Sequence, residues 1–161
     1  MQIPSEERTM KVLEAVRRPA VTIPADASIT EAAELMASSG VGAVAVVDAG
    51  ELVGIVTDRD LVCRCVARGV RPDARIDSQM SMPVHTIAAD ADVHDAYGMF
   101  REHPVRRLVV IDGAGVVGLI TVDDLLINLS SHLADLSRPV TAEAVFGQRE
   151  AHSPEVRTSV R

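Results

Sequence analysis

The chain has 161 residues, and its 16 basic against 23 acidic side chains give a formal charge of −7. That balance argues against nucleic-acid binding, which needs clustered Lys and Arg to neutralise phosphates. No run approaches the 18 or so uninterrupted apolar residues of a membrane span.

Met1 to Glu7 lack the basic start and apolar core of a signal peptide, so a cytoplasmic protein with no membrane attachment is expected. With no Trp, one Tyr (Tyr97) and two Phe (Phe100, Phe146), the core must be built from Val, Ala, Ile and Leu. This favours layered α/β packing. Residues 1–9 read as a flexible terminus. Val21-Thr22-Ile23 is a short extended piece closed by Pro24. Ser28-Ile29-Thr30-Glu31 is a capping box, in which the Ser hydroxyl takes the N3 amide and the Glu reaches back. Ile29, Ala32, Ala33 and Met36 follow at helical spacing, so a helix runs to about Ser39, where Gly40 stops it. Ala43 to Val47 is an apolar run of strand length, Asp48-Ala49-Gly50-Glu51 supplies the turn, and Leu52 to Val56 is the return strand. A second helix starts near Thr57 and carries Leu61, Val62 and Val66. Cys63 and Cys65 fall on different faces of it, a poor spacing for a disulfide or a closed zinc site.

Arg68 to Asp73 is a short link. The same order of elements then returns: a helix from Val93 to about His103, a hairpin of Leu108–Ile111 and Val116–Ile120, and a closing helix with Leu125, Leu126, Leu129 and Leu133. The match is one of sequence as well as pattern. Thr22-Ile23-Pro24-Ala25-Asp26-Ala27 recurs sixty-four residues later as Thr86-Ile87-Ala88-Ala89-Asp90-Ala91. Without a gap, Val53-Gly54-Ile55-Val56-Thr57 recurs as Val117-Gly118-Leu119-Ile120-Thr121. A constant offset across helix, strands and turns implies two equivalent units related by a pseudo-twofold. They are placed at 10–69 and 74–136, and the Pro-containing polar tail, 137–161, is expected to be flexible.

The candidate chemistry lies at the repeated strand-to-helix junction, Gly54 to Asp60 and Gly118 to Asp124. A glycine in a strand permits close approach of another group. Thr-x-x-Asp is a helix-start signature in its own right, with Thr as N-cap and Asp in the first turn. The same residues suit a ligand: vicinal ribose hydroxyls are donors, an ionised carboxylate is a bidentate acceptor, and a helix N-terminus favours phosphate. His85, His94, His103, His132 and His152 are scattered, so no metal site is expected. No base–nucleophile pair marks catalysis, so no catalytic residue is assigned.

Paired units ending in Gly-h-h-Thr-x-x-Asp (h apolar), each preceded by a helix and an apolar hairpin that reaches an Asp, resemble the cystathionine-β-synthase (CBS) domain family over about residues 10 to 135. Gly54 to Leu61, with Asp-Arg-Asp inside it, is similar to stand-alone bacterial tandem-CBS proteins. The resemblance implies an α/β fold of two β-α-β-β-α units with two shared clefts. Such clefts commonly take AMP, ATP or S-adenosylmethionine as ligand, and no cofactor is required. Carried over by position, one cleft uses Thr121 and Asp124 with Val21, Val41 and Gly42 near the base. The other uses Thr57 and Asp60 with His85, Val105 and Arg106. Arg107, which aligns with Ala43, suits a phosphate in the Asp124 cleft. Its counterpart is lacking at Asp60, where Arg59 or Arg106 would have to substitute. The Asp124 cleft is therefore expected to be the stronger site. The implied function is a regulatory, ligand-sensing module, not an enzyme, acting as a homodimer or through a separate, unidentified protein partner. The amphipathic helices Val93–Met99 and Leu125–Leu133 are the expected pairing faces. The alternative is a structural or stress-response interaction protein, resembling the hypoxia-induced tandem-CBS class, with no bound nucleotide.

Overall fold

The computed structural model describes residues 9–113, 115–131, 133 and 134. The expectation for the tail 137–161, and for residues 1–8, falls outside them. The chain divides into two compact units that part after Leu125. The first carries both repeats and is described here.

In the first repeat, β1 (Thr22–Pro24) lies parallel to β2 (Ala43–Asp48), which pairs antiparallel with β3 (Glu51–Thr57). The second repeat has β4 (Thr86–Ala88), β5 (Arg107–Asp112) and β6 (Gly115–Thr121) in the same order and sense. The register shift in each hairpin falls at the same repeat position, between Val46 and Val47 and between Val110 and Ile111. Two hairpins sharing even their irregularity are one solution used twice.

Each crossover helix forms for local reasons. The helix α2 (Ile29–Ser39) opens on the expected capping box, with the Glu31 amide donating to Ser28 Oγ and the Ser28 amide to Glu31 Oε2. It ends at Gly40, whose φ of 62° is a left-handed conformation that glycine adopts without a Cβ penalty. The next helix in the second repeat, α4 (Val93–Glu102), uses Asp92 and Asp95 in the same box. Both helices bury one face. Ile29, Ala32 and Met36 enter the first core, and Val93 and Ala96 the second. Of the Val93–Met99 stretch, Val93 and Ala96 are buried, while Tyr97 and Met99, with the adjacent Phe100, lie half-buried at the margin of the same core.

Packing and sequence repeat divide the chain differently. A short helix, α1 (Val12–Ala15), precedes the first repeat, yet Val12 and Ala15 lie in the second core. The Val12 and Leu13 amides donate to the Ala91 and Ala89 carbonyls. Reciprocally, the 3₁₀ turn Ile76–Ser78 puts Ile76 into the first core, and the Ile76 and Asp77 amides donate to Ala27 and Ala25. Each connecting segment thus completes the opposite half.

After its exchange each segment runs along the other half's return strand. Ser81 exchanges backbone hydrogen bonds with Ile55 on β3, and the Ala20 amide donates to Val117 on β6. The strand glycines make this possible. A Cβ on Gly118 would sit 2.7 Å from Val16 Cγ1, and one on Gly54 would overlap Met80. The group approaching each glycine is the connecting segment. The two sheets also meet through β3 and β6.

The closing helices differ. In the first repeat a single turn, α3 (Asp58–Asp60), passes into a π turn over Leu61–Cys65 and a 3₁₀ turn over Val66–Arg68. Residues 122–131, their counterpart, form an α-helix, α5. Cys63 is exposed and Cys65 buried, as two neighbours of opposite facing should be. Burial, reinforced by the Asp60 charge, pushes the Cys65 thiol above its ordinary value, so it is a core residue and not a nucleophile.

Candidate functional site

The two junctions are built alike. Asp124 Oδ2 accepts hydrogen bonds from the Thr121 amide (2.9 Å) and hydroxyl (2.7 Å), and Thr121 Oγ1 accepts from the Asp124 amide at 3.1 Å. At Thr57 and Asp60 the same three bonds measure 3.0, 2.7 and 3.1 Å. In both cases the motif is a reciprocal helix cap. The cap uses only one carboxylate oxygen, and what happens to the other separates the two sites.

Around Asp124 lies a cavity of about 470 Å³ lined by Arg17, Arg18, Pro19, Val21, residues 40–43, Arg107, Leu119 and Thr121. Of the residues assigned from sequence, Val21, Val41, Gly42, Arg107, Thr121 and Asp124 converge here. Each is placed by a separate element: Val21 just before β1, Val41 and Gly42 before β2, Arg107 at the start of β5, and Thr121 and Asp124 across the end of β6. Gly42 keeps the wall open, since a Cβ there would come within 3.2 Å of Asp58 Oδ2 and 3.5 Å of the Arg107 guanidinium.

Arg17 and Arg18 were not singled out in the sequence. They reach the cavity because the exchanged segment crosses β6 on its way to β1. Arg18 is fixed there, donating to the Gly40 carbonyl at 2.9 Å. The lining therefore holds Arg17, Arg18 and Arg107 with Asp124 as its acidic residue, and the Asp58 carboxylate stands against Gly42 beside Arg107. In an acidic chain this is a local reversal of charge, suited to an anion that also offers hydroxyl donors. Among the described residues, neither Arg107 nor Asp124 Oδ1 is engaged in an ion pair.

The residues assigned to the other cleft meet different fates. His85 stacks on His103 with ring centroids 4.3 Å apart. Arg106 points outward to Asp123 at 3.8 Å, with 77% of its side chain exposed. A pair so exposed contributes little, and Arg106 does not substitute for an arginine at Asp60. Arg59 lies instead beside Asp58, Val62 and Cys63. The arginine that does reach Asp60 is Arg64, at 3.2 Å from Oδ1. Val105 packs at the margin of the second core. Among the described residues no group of three or more His, Cys, Asp or Glu could hold a metal ion, and no helix is long and apolar enough to cross a membrane.

The CBS domain model matches the chain twice, over residues 12–66 and 74–131, one match for each repeat. The chain belongs to the CBS-domain family. It is 35% identical over 122 residues to the protein MK0525 of Methanopyrus kandleri, covering 74% of this chain and 62% of that protein. It thus spans less than two thirds of that relative's length. It is 30% identical over 107 residues to hypoxic response protein 1 of Mycobacterium tuberculosis, covering 65% of this chain and 75% of that one. Among solved structures, the CBS domain protein PAE2072 of Pyrobaculum aerophilum, complexed with AMP, superposes with a TM-score of 0.66. The two are 27% identical over 76% of this chain and 99% of that one. The chain is accordingly a CBS-pair regulatory module, of a kind that is generally non-catalytic.

Proposed function

We propose that this CBS pair senses an adenosine nucleotide, of the AMP or ATP type, in the cleft at Asp124. The observation that carries the reading is the convergence of Thr121, Asp124, Arg107, Val21, Val41 and Gly42 on one cavity. Val21 and Val41 offer an apolar surface to adenine. Asp124 Oδ1 suits the ribose diol, and Arg107, with Arg17, suits phosphate. The excess of guanidinium favours an anionic nucleotide over the cationic sulfonium of S-adenosylmethionine. The AMP complex of the Pyrobaculum relative supports the ligand class. No cofactor is needed, and the module acts in the cytoplasm. Its output passes through self-association or a separate protein. Exposed apolar side chains are available for this on each closing helix: Val62 and Val66 on the first, and Leu126, Leu129 and Leu133 on the second.

Calorimetry with AMP, ATP and S-adenosylmethionine, preceded by native mass spectrometry for co-purified nucleotide and oligomer size, tests this. A hydrogen bond to a charged group is worth about 1.5–3 kcal/mol, so Asp124→Ala should weaken nucleotide binding by about 10- to 100-fold. Asp60→Ala should leave it nearly unchanged. Equal losses from both substitutions would refute the assignment. A second reading, a stress-response interaction protein with empty clefts, is favoured by the likeness to hypoxic response protein 1. It predicts no thermal stabilisation by any adenosyl ligand, whereas a true ligand stabilises by mass action.

A further inference from the structure

We infer that the cleft at Thr57 and Asp60 is closed from within by Arg64, so that the chain takes one nucleotide and not two. This rests on the reading of Asp124 as the nucleotide-binding carboxylate. Two independent observations carry it. The first is the hydrogen bonding of Arg64. Asp60 Oδ2 is used by the Thr57 cap, as Asp124 Oδ2 is by Thr121. The remaining oxygen, Oδ1, which at Asp124 has no partner among the described residues, is taken at Asp60 by the Arg64 guanidinium. The same guanidinium donates to the Gln79 carbonyl and to Ser81 Oγ, each at 2.9 Å. It thereby ties the Asp60 carboxylate to Gln79 and Ser81 of the connecting segment. An arginine fork satisfied on three sides and only partly exposed is a fixed group, and dislodging it strands both a carboxylate and a guanidinium.

The second observation is the backbone that carries it. Arg64 lies inside the π turn Leu61–Cys65, while its repeat counterpart, Asn128, lies in a regular α-helix. π turns are rare and occur frequently at functional sites. The flanks agree with a site given up. Ser81 and Met82 stand where the Asp124 cleft has Arg17 and Arg18, and Ala43 stands where it has Arg107. A ligand at Asp60 would therefore lack phosphate contacts as well as a free carboxylate oxygen.

Titration calorimetry with AMP and with ATP on the full chain, comparing wild type with Arg64→Asn, decides the matter. Asn is the residue at the counterpart position, and Arg64→Met, which keeps the aliphatic stem, serves as a second variant should Asn perturb the fold. The expected stoichiometry is one nucleotide per chain for the wild type and two for either variant. The new site should persist in Arg64→Asn/Asp124→Ala and vanish in Arg64→Asn/Asp60→Ala. A wild-type stoichiometry of two, or a folded Arg64 variant that stays at one, overturns the inference. A wild type that binds neither nucleotide defeats the functional assignment of Asp124 instead. In that event, closure by Arg64 is upheld if the variants gain a site and overturned if they do not.

Discussion

The clefts at Asp124 and Asp60 share a cap whose corresponding hydrogen bonds agree to about 0.1 Å, and they differ in the charged side chains that surround it. At Asp124 the neighbours are Val21, Gly42, Arg17 and Arg107, and Asp124 lines the cavity with one carboxylate oxygen left over from the cap. At Asp60 that oxygen is held by Arg64. Thr-x-x-Asp alone therefore does not define a binding site. It supplies a correctly oriented carboxylate, and the connecting segment and the following helical turn decide whether a ligand can reach it.

Both clefts depend on the exchange of connecting segments, so the largest effects should come from breaking that exchange. Ile76 is fully buried in the first core, and truncating a buried Ile to Ala costs about 2–5 kcal/mol. Val12→Ala removes less volume from the second core and should cost less. Chemical denaturation gives the magnitudes, and amide exchange gives the location. Ile76→Ala should lower protection first around β1 to β3, and Val12→Ala first around β4 to β6. If each variant loosened the half nearer to it in sequence, the exchange would not be what holds the halves together. A step down in size, Gly118→Ala drives a Cβ to 2.7 Å from Val16 Cγ1 and should cost about 1–3 kcal/mol through overpacking. Gly54→Ala does the same against Met80. Val16→Ala should restore stability to Gly118→Ala, and Met80→Ala, whose Cβ still lies at 3.0 Å, should restore Gly54→Ala only in part; neither should rescue the other variant.

The repeat, both hairpins and both caps could be read from the sequence because they rest on local signals at a constant offset. Ser28 with Glu31 and Thr57 with Asp60 announce helix starts within four residues. The residues that make the clefts unequal were harder to find, because they act across the exchange. Arg17 and Arg18 precede β1 by a few residues and carry no motif of their own. Only the path of the segment over β6 brings them to Asp124. Their signal was the alignment itself, which sets Arg17-Arg18 against Ser81-Met82 just as it sets Arg107 against Ala43. Arg64 was hidden further, since a regular helix is the natural reading of residues 58–68 and nothing in their composition marks a π turn.

Removing the caps tests the two junctions with a smaller perturbation. Thr57→Val and Thr121→Val each delete the hydroxyl that the Asp amide donates to, at a cost of about 0.5–2 kcal/mol in stability. The two stability losses should be alike, because the hydrogen bonds are alike. Nucleotide affinity should fall only in Thr121→Val. A comparable fall in Thr57→Val would make the clefts functionally equivalent, whatever Arg64 does.

The smallest expected difference between the halves lies in their response to acid. In the first half, Glu31 is held below the usual carboxylate range by the Ser28 amide and then its hydroxyl. Arg71 does the same to Asp73, and Arg75 to Asp77, on the segment leading into and through the Ile76 turn. In the second half Asp92 is lowered, chiefly by the His94 amide. Each folded-state value lies below its unfolded value of about 4. The stability these groups contribute is therefore fully present above that value and is lost as pH falls through the lower folded values. The groups lie at the surface, so the loss should be small and should shrink further in high salt. Three of the four support the first half or the turn that completes it. On lowering the pH from 7 to 3, amide protection should therefore decline sooner around β1 to β3 than around β4 to β6. Arg75→Gln should flatten the decline by removing the partner that lowers Asp77. An equal decline in both halves, or one unaffected by Arg75→Gln, would show that these carboxylates do not distinguish the two halves.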